Sequence, residues 1–313
     1  MEGRMPYRLK AHEEPAQGIK RIVCEQIDEA IQTLTDHEVD RHIGVHQARK
    51  CFKKIRGVLR LVRAELGDVF RTENNWFRDI GRELSHVRDA EALLETFDKL
   101  RRTFAEQLRP HALRAIRKGL VQRRQTIADE QVDVDKRVES IVAALGEAKQ
   151  RVKSWPLFLQ THAALDTGLQ QTYRRGRRAR EVAYRDPTPE NFHEWRKCVK
   201  DHWYHLRILE AVWPEVIAGY RGALKNLSDL LGDDHDLVVF RQTLRDHPKT
   251  FGADRDIQLL LGLIDRRQAE LQTQAETLGQ RVFAEKSSRF RNRLQQYVEA
   301  WQIETQRSTV LAE

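Results

Sequence analysis

The sequence predicts an all-α protein with two tandem helical bundles, related by a pseudo-two-fold axis and packed around a basic central channel or surface. Ala, Leu, Glu, Gln, Arg and Lys dominate, and only 16 Gly and 8 Pro interrupt the 313 residues. Such a composition favours helices, and the alternation of β-branched residues that is typical of strands is scarce. The pattern of residues 45–61 also recurs at 192–209, with an offset of 147 residues from His46 to His193. We interpret this recurrence as an internal duplication.

Six helices are predicted for the first half of the chain from apolar residues at helical spacing. Pro110 marks the break before the fifth helix, and Pro156 marks the break after the sixth, because proline cannot continue a helix that precedes it. The predicted helices cover residues 15–35, 42–66, 72–84, 87–107, 110–129 and 133–153.

Six more helices are predicted for the second half. Pro187, Pro214 and Pro248 mark breaks between them. Thr188-Pro189 has the pattern of an N-cap followed by a first-turn proline, so a helix should begin at residue 189. The predicted helices cover residues 161–184, 189–212, 214–231, 235–246, 253–275 and 277–302.

The duplication extends well beyond the two basic segments. At the same offset of 147 residues, Val69 matches Val216 and Leu84 matches Leu231. The matches indicate two repeats that divide near residues 155–160. We therefore predict an N-terminal extension at 1–14, a first helical repeat at 15–157, a second at 158–302 and a C-terminal tail at 303–313.

Composition and charge restrict the class of partner. The sequence contains 55 Lys+Arg and 47 Asp+Glu, which gives a net charge of +8 and a pI near 9.5. A hydrophobic content of 40% is enough for a buried core, which excludes a disordered polycation. The positive charge favours a polyanion such as nucleic acid, an anionic membrane surface or a phosphate polymer.

Three features predict a soluble, cytoplasmic protein without a membrane partner. Cys24, Cys51 and Cys198 form no CxxC pair, as expected for unpaired cysteines in a reduced compartment. Residues 1–15 lack the apolar segment of a signal peptide. No window approaches the length of about 18 apolar residues that a membrane-spanning helix needs.

Both copies of the repeated segment carry a basic stripe along a helix. Each residue advances by about 100° around the helix, so the basic side chains fall within roughly a third of the circumference, opposite the apolar ones. The central part of each stripe holds no acidic residue, whereas solvated helix faces usually mix both signs. The stripes consist of His46, Arg49, Lys50, Lys53 and Arg60 in the first copy, and His193, Arg196, Lys197, Lys200 and Arg207 in the second.

The dimensions of a stripe suit a linear polyanion. Its basic residues span about 21 Å along the helix axis, so one stripe can follow several successive negative charges. Arginine offers a planar fork to phosphate oxygens, and lysine offers a mobile point charge. We therefore predict that the stripes bind phosphate groups.

His46 and His193 stand at the start of their stripes. Each imidazole either satisfies a local partner near the helix start or donates an N–H to a phosphate oxygen. Neighbouring Arg and Lys should disfavour its charged form, and a bound polyanion should favour it. If the imidazole donates to phosphate, the affinity for the polyanion rises as the pH falls towards about 6.

Four further arginines and one histidine are second-tier candidates for ligand binding. Arg174 and Arg177 share one face of the basic run at 173–180, and Arg21 is their candidate counterpart in the first half. Arg88 and His235 occupy matching positions of the two repeats, which would place both near the ligand.

An aspartate follows each of those two matching positions. Asp89 and Asp236 have the same offset as the stripes. A carboxylate at this place could reach across and orient an Arg or Lys of a stripe. We predict that these aspartates support the site.

His235-Asp236 also permits a catalytic interpretation. Metal-dependent phosphohydrolases use dispersed His and Asp ligands that converge on a divalent ion. Against a metal site, Arg88 replaces His235 in the first copy, and a dense cationic field disfavours a bound cation. We therefore predict no catalytic residue, no metal site and no cofactor, and the phosphohydrolase stays an alternative. Two histidine pairs also have helix-compatible metal spacings, His42/His46 and His202/His205.

Other reaction classes leave no motif in the sequence. There is no Gly-rich phosphate loop, no Ser or Cys nucleophile motif and no dinucleotide fingerprint. Aromatic residues make up 7% of the sequence and lie mostly at core-like spacing, so base-stacking platforms are not evident. Nucleic-acid binding is a second alternative, and it would be independent of base sequence.

Taken together, these motifs resemble the CHAD domain, the conserved-histidine α-helical domain. The motif H-x-x-R-K-x-x-K occurs in both halves, at 46–53 and 193–200, and a Leu-Arg pair follows each copy. Arg88-Asp89 and the run at 231–236 complete the set downstream. The resemblance covers about residues 15–302.

The resemblance implies two helical bundles with a basic surface or pore between them. It also implies binding of inorganic polyphosphate, location at polyphosphate granules, and a binding module rather than an enzyme. Gly57 and Tyr204 interrupt the otherwise basic stripes. Whether these two positions contact the ligand therefore stays open.

Overall fold

The computed structural model describes residues 7–84, 89–109, 113–129, 134–159 and 165–310. Within these residues the protein is all-α, as the sequence predicts, and contains no β-strand. No helix in this part of the chain is both long and apolar enough to cross a membrane. The helices are α1 (Pro15–Thr35), α2 (Arg41–Leu61), α3 (Arg63–Leu66), α4 (Asp68–Glu83), α5 (Asp89–Thr103), α6 (Arg114–Asp129), α7 (Val134–Lys153), α8 (Asp166–Arg185), α9 (Pro189–Ile208), α10 (Pro214–Asp246), α11 (Asp254–Val282) and α12 (Ser287–Val310).

The helix start predicted at residue 189 is confirmed. Thr188 is the N-cap of α9, and its side-chain oxygen accepts a hydrogen bond from the Asn191 amide at 3.3 Å. Pro189 is the first helical residue. The cap satisfies one of the backbone N–H groups that have no partner in the first turn of a helix.

The break predicted between residues 231 and 235 is wrong, because α10 is one continuous helix. Gly232 is buried within it. A glycine inside a helix costs about 1 kcal/mol relative to alanine, but this one lies against Arg196 of α9. A Cβ atom at Gly232 would be 3.5 Å from Arg196 Nε. The glycine therefore marks a close contact between α9 and α10.

The turn between α11 and α12 lies at residues 283–286, rather than near residue 276 as predicted. Tyr220 of α10 donates a hydrogen bond to the Val282 carbonyl at 2.5 Å. Tyr173 of α8 donates one to the Glu285 carbonyl at 3.1 Å. Side chains from distant helices thus fix this turn, and no local pattern in the sequence could have shown it.

Two apolar cores hold the helices together. The larger core takes side chains from α1 to α4, α7, α8, α9 and α12, from the first part of α10 and from the last part of α11. The smaller core takes side chains from α5, α6 and α11 and from the second part of α10. Each core contains residues of both predicted repeats, and the division at residues 157 and 158 stays a prediction.

The two helices that carry the basic stripes, α2 and α9, pack directly against each other. A Cβ atom on Gly57 would lie 3.1 Å from Cδ2 of Tyr204. His205 Nε2 lies 2.8 Å from the Gly57 carbonyl oxygen, and burial lowers the pKa of His205 to about 4. The neutral ring therefore donates its Nε2–H to that carbonyl. Gly57 and Tyr204 interrupt the stripes because the two helices meet there.

The N-terminal segment at 7–14 bridges these two helices. Tyr7 and Leu9 are both buried. The Tyr7 hydroxyl donates a hydrogen bond to the Lys54 carbonyl of α2 at 2.8 Å. The Leu9 amide donates one to the Ile208 carbonyl of α9 at 2.9 Å. This segment therefore ties α2 to the last residue of α9.

Candidate anion-binding site

Parts of both basic stripes come together beside α10. Their charges act on one another across the three helices, so they form one electrostatic group. We call this group the cationic cluster. It consists of Arg49, Lys50 and Lys53 of α2, His193, Arg196 and Lys200 of α9, and His235 of α10.

Lys53 is a member of the cluster whose charged form is disfavoured. Its side chain is in contact with solvent, yet protein surrounds much of it. This desolvation, followed by the charges of Arg49, Lys200 and Arg196, lowers the pKa of Lys53 to about 8. The folded protein therefore holds this ammonium group at a cost in free energy.

Arg196 lies at the centre of the cluster. It is half-buried against Gly232 of α10, and its charge acts on Lys53, on Lys200 and on both histidines. Burial, with Arg196 as the next cause, lowers the pKa of Lys200. Within the described part of the chain, Lys53, Arg196 and Lys200 form no ion pair and no hydrogen bond.

His193 and His235 face each other across α9 and α10, with ring centroids 4.3 Å apart. Burial is the main cause that lowers the pKa of His193, and Arg196 adds to it. Burial, the His193 ring and Arg196 lower the pKa of His235 to about 4. Both imidazoles are therefore neutral at pH 7 while no anion is bound.

Negative charge beside the cluster comes from α10. Asp236 raises the pKa of Lys53, and Asp229 raises that of Lys200, but desolvation and like charges outweigh both effects. Asp229 itself forms an ion pair with Lys225, 2.6 Å away. The supporting role that the sequence assigns to Asp236 stays a prediction. Arg88 lies outside the described residues, and so does the side chain of its neighbour Asp89.

The second half of each stripe has a different environment. Arg60 of α2 forms an ion pair with Asp201 of α9, with 2.9 Å between Nη1 and Oδ1. The Asp201 side chain is only 7% exposed, and its burial raises its pKa while Arg60 opposes the shift. This pair joins the two helices directly.

Arg207, the last basic residue of the second stripe, lies over aromatic rings. Its guanidinium carbon is 5.7 Å from the Tyr7 ring centroid and 5.8 Å from that of Trp203. Both distances allow cation–π attraction. Arg207 thus contacts the N-terminal segment that bridges α2 and α9.

Lys197 of the second stripe is paired within its own helix. It forms an ion pair with Glu194, and Glu194 also lies 3.5 Å from Arg175 of α8. On α8, Arg177 donates a hydrogen bond to the Glu285 carbonyl at 3.2 Å, whereas Arg174 is exposed.

Arg21 is enclosed by acidic partners on α1 and before it. Its guanidinium bonds Glu13 and Glu25, with Nε 2.8 Å from Glu13 Oε2. The hydrogen bond to Glu13 raises the pKa of Arg21.

His46 lies half-buried on α2, one turn before Arg49 and Lys50.

Of the two histidine pairs whose spacing suggested a metal, one is buried, and the His42 side chain of the other lies outside the described residues. His202 and His205 are wholly buried, and burial lowers the pKa of His202 to about 3. Aromatic rings surround His202, including Phe290 at 5.1 Å between ring centroids. Among the residues that the structure describes, no group of three or more His, Cys, Asp or Glu side chains is placed to hold a metal ion.

Two residues of the site were not recognised in the sequence. Asp201 lies outside the basic arc of its own helix, and Gly232 interrupts a helical pattern. A signal existed for each: an acidic residue on a mostly apolar arc needs a cationic partner, and a glycine inside a helix often allows close packing. Neither signal identifies the contacting residue, which is Arg60 for Asp201 and Arg196 for Gly232.

Comparison with known proteins places this fold in a known class. A family model described as the CHAD domain matches residues 25–245. The crystal structure of the CHAD domain from the plant Ricinus communis is similar to this chain, with a TM-score of 0.63 and 20% identity, covering 90% of this chain and 97% of that chain. No curated protein matches. The protein is an all-helical CHAD domain by fold. Because the family model spans most of its length, the chain belongs to the CHAD family.

Proposed function

We propose that this protein binds inorganic polyphosphate at the cationic cluster and acts as a binding module rather than as an enzyme. The single observation that carries the proposal is the state of Lys53. Desolvation, followed by like charges from two helices, lowers its pKa to about 8, and no carboxylate pairs with it within the described residues. A bound polyanion would remove this repulsion and recover its cost.

The chemistry of the cluster favours phosphate over other anions. It combines guanidinium groups, ammonium groups and neutral imidazoles, all of which can donate hydrogen bonds to phosphate oxygens. Polyphosphate is also the ligand that the resemblance to CHAD domains implies. A protein that binds this polymer should accumulate at polyphosphate granules, so we include granule association in the proposal.

A four-charge variant tests the proposal. In this cluster variant, Arg49, Lys53, Arg196 and Lys200 are all replaced by Gln. We expect the affinity for long-chain polyphosphate, measured by titration calorimetry at fixed salt, to fall about 100-fold while helicity is kept. The slope of log affinity against log salt should become shallower by about 3, by analogy with counterion release from nucleic acids.

A matched control separates the site from net charge. The control variant loses four exposed cations that form no ion pair within the described residues, Arg245, Lys249, Arg255 and Arg281, each replaced by Gln. It should bind almost as tightly as the wild type. Equal losses in the two variants would mean that net charge, not the cluster, binds the polymer.

Two further measurements address the alternatives. RNA of similar charge should compete poorly with polyphosphate, and tighter binding of RNA would favour nucleic acid as the ligand. Incubation with polyphosphate and Mg²⁺ or Mn²⁺ should release no orthophosphate. Release that is lost with His235→Gln would show that the protein is a phosphohydrolase.

A further inference from the structure

The helix α6 carries a second one-signed charge pattern, outside both stripes. Between residues 114 and 128 it has five basic residues and no acidic one. Solvated helix faces usually carry both signs, with acidic and basic residues three or four positions apart. The same absence of acidic residues singled out the central part of each stripe on α2 and α9.

The structure shows where these charges lie. A groove of about 820 Å³ runs between α5 and α6, and Phe97 and Leu113 form part of its floor. Both floor residues are at most 2% exposed, and five of the ten described residues that line the groove are basic. The basic residues that line the groove are Arg101, Arg102, Arg114, Arg117 and Lys118.

Only part of this charge is neutralised. Arg117 donates two hydrogen bonds to Asp98, at 3.0 and 3.2 Å, and Asp98 is the one acidic residue among the described residues that line the groove. The other four basic side chains are exposed and form no ion pair or hydrogen bond with any described residue. We call these four the α5–α6 face: Arg101, Arg102, Arg114 and Lys118.

The α5–α6 face is separate from the cationic cluster. The opposite side of α5 faces α10, where Lys99 forms an ion pair with Asp233. Leu100 packs in the smaller core together with Leu237 of α10. The body of α5 therefore stands between the face and α10, so the face cannot be an extension of the same site.

We propose that the α5–α6 face is a second binding site for a phosphate polymer. Exposed arginines suit phosphate oxygens, and among the described residues no exposed aromatic ring lines the groove to stack on bases. The identity of the polymer rests on the function proposed above. With two separate sites, the cationic cluster and the α5–α6 face, one protein molecule can hold two polymer chains. Several protein molecules can then link long polymer chains into a network.

The number of chains bound per protein tests this proposal. In the face variant, the four residues of the α5–α6 face are replaced by Gln, which removes the same charge as the cluster and control variants. With a short polyphosphate of defined length, calorimetry should give two chains per wild-type molecule. It should give one chain for the face variant, one for the cluster variant and two for the control variant.

Long chains give a second readout. The wild type and the control variant should produce large particles in light scattering, and the face variant should not, although it still binds tightly. One chain per wild-type molecule, with no change in the face variant, would overturn the second site and leave the proposed function intact. No binding of polyphosphate by the wild type would overturn the proposed function itself. Binding of RNA but not polyphosphate at the face would assign the face to nucleic acid instead.

Discussion

The first and second halves of the basic stripes look alike in sequence but have different surroundings. In the first half, Lys53 and Lys200 lie near other cations, and the pKa of each is lowered. In the second half, Arg60 pairs with Asp201, and Arg207 lies over the Tyr7 ring. One stripe therefore contains cations that repel one another and cations that hold the helices together.

This difference shows how to divide a charged helix face by function. Cations that the fold has already paired contribute to stability, and a ligand would have to break those pairs to use them. Cations that the fold leaves crowded are costly in the unliganded protein and gain most from an anion. Substitution of a paired cation should therefore lower stability, whereas substitution of a crowded cation should lower affinity for the anion without a loss of stability.

The largest effect on stability is expected for Arg60→Leu. This change leaves the Asp201 carboxylate buried without its partner, which should lower the free energy of unfolding by about 3 kcal/mol. The measurement is denaturant unfolding at pH 7. The loss should shrink towards pH 5, because a buried carboxyl without a cation has a raised pKa and is protonated as the pH falls.

The double variant with Arg60→Leu and Asp201→Leu is the control. Removing both charges leaves no unpaired carboxylate, so stability should recover to within about 1 kcal/mol of the wild type. If the double variant is as unstable as Arg60→Leu alone, the ion pair is not the cause and the packing of the arginine side chain is.

Much of the fold follows from local rules that the sequence shows directly. The start of α9 depends on Thr188 and Pro189, and the bounds of α1 depend on the apolar spacing of residues 15–35. The turn before α12 depends instead on hydroxyl groups of Tyr173 and Tyr220. Such long-range hydrogen bonds cannot be found by periodicity, so this boundary was misplaced.

The site could be predicted only as a set of candidates. Helical spacing placed Arg49, Lys53 and Arg60 on one arc of α2. This prediction considers the helix alone, without its neighbours. It could not show that α9 crosses at Gly57 and places Asp201 opposite Arg60. The division of the stripe into two halves is a property of the helix pair, so it needs the structure.

Lys53→Met should have the opposite pattern to Arg60→Leu. It removes a crowded charge but keeps a side chain of similar length, so affinity for polyphosphate should fall about tenfold while stability stays equal or rises. The two measurements are calorimetric titration and denaturant unfolding. Lys249→Met, at an exposed site in the segment between α10 and α11, is the control and should change neither quantity.

A smaller effect is expected from pH. Without ligand, the pKa of His193 is lowered and that of His235 is about 4. A polyanion favours the charged imidazoles and raises both pKa values, so binding takes up protons and affinity rises as the pH falls. Between pH 7 and pH 5.5 we expect a gain of about threefold, measured with long chains whose internal phosphates stay ionised.

The same linkage acts at higher pH through Lys53. Because its pKa is about 8 without ligand, affinity should fall again as the pH rises from 8 to 9, and Lys53→Met should abolish this second decline. Replacing His193 and His235 by Gln should flatten only the acidic part of the profile. A profile that keeps its acidic slope in that variant would assign the proton uptake to other groups. The two imidazoles would then have a structural role rather than a role in binding.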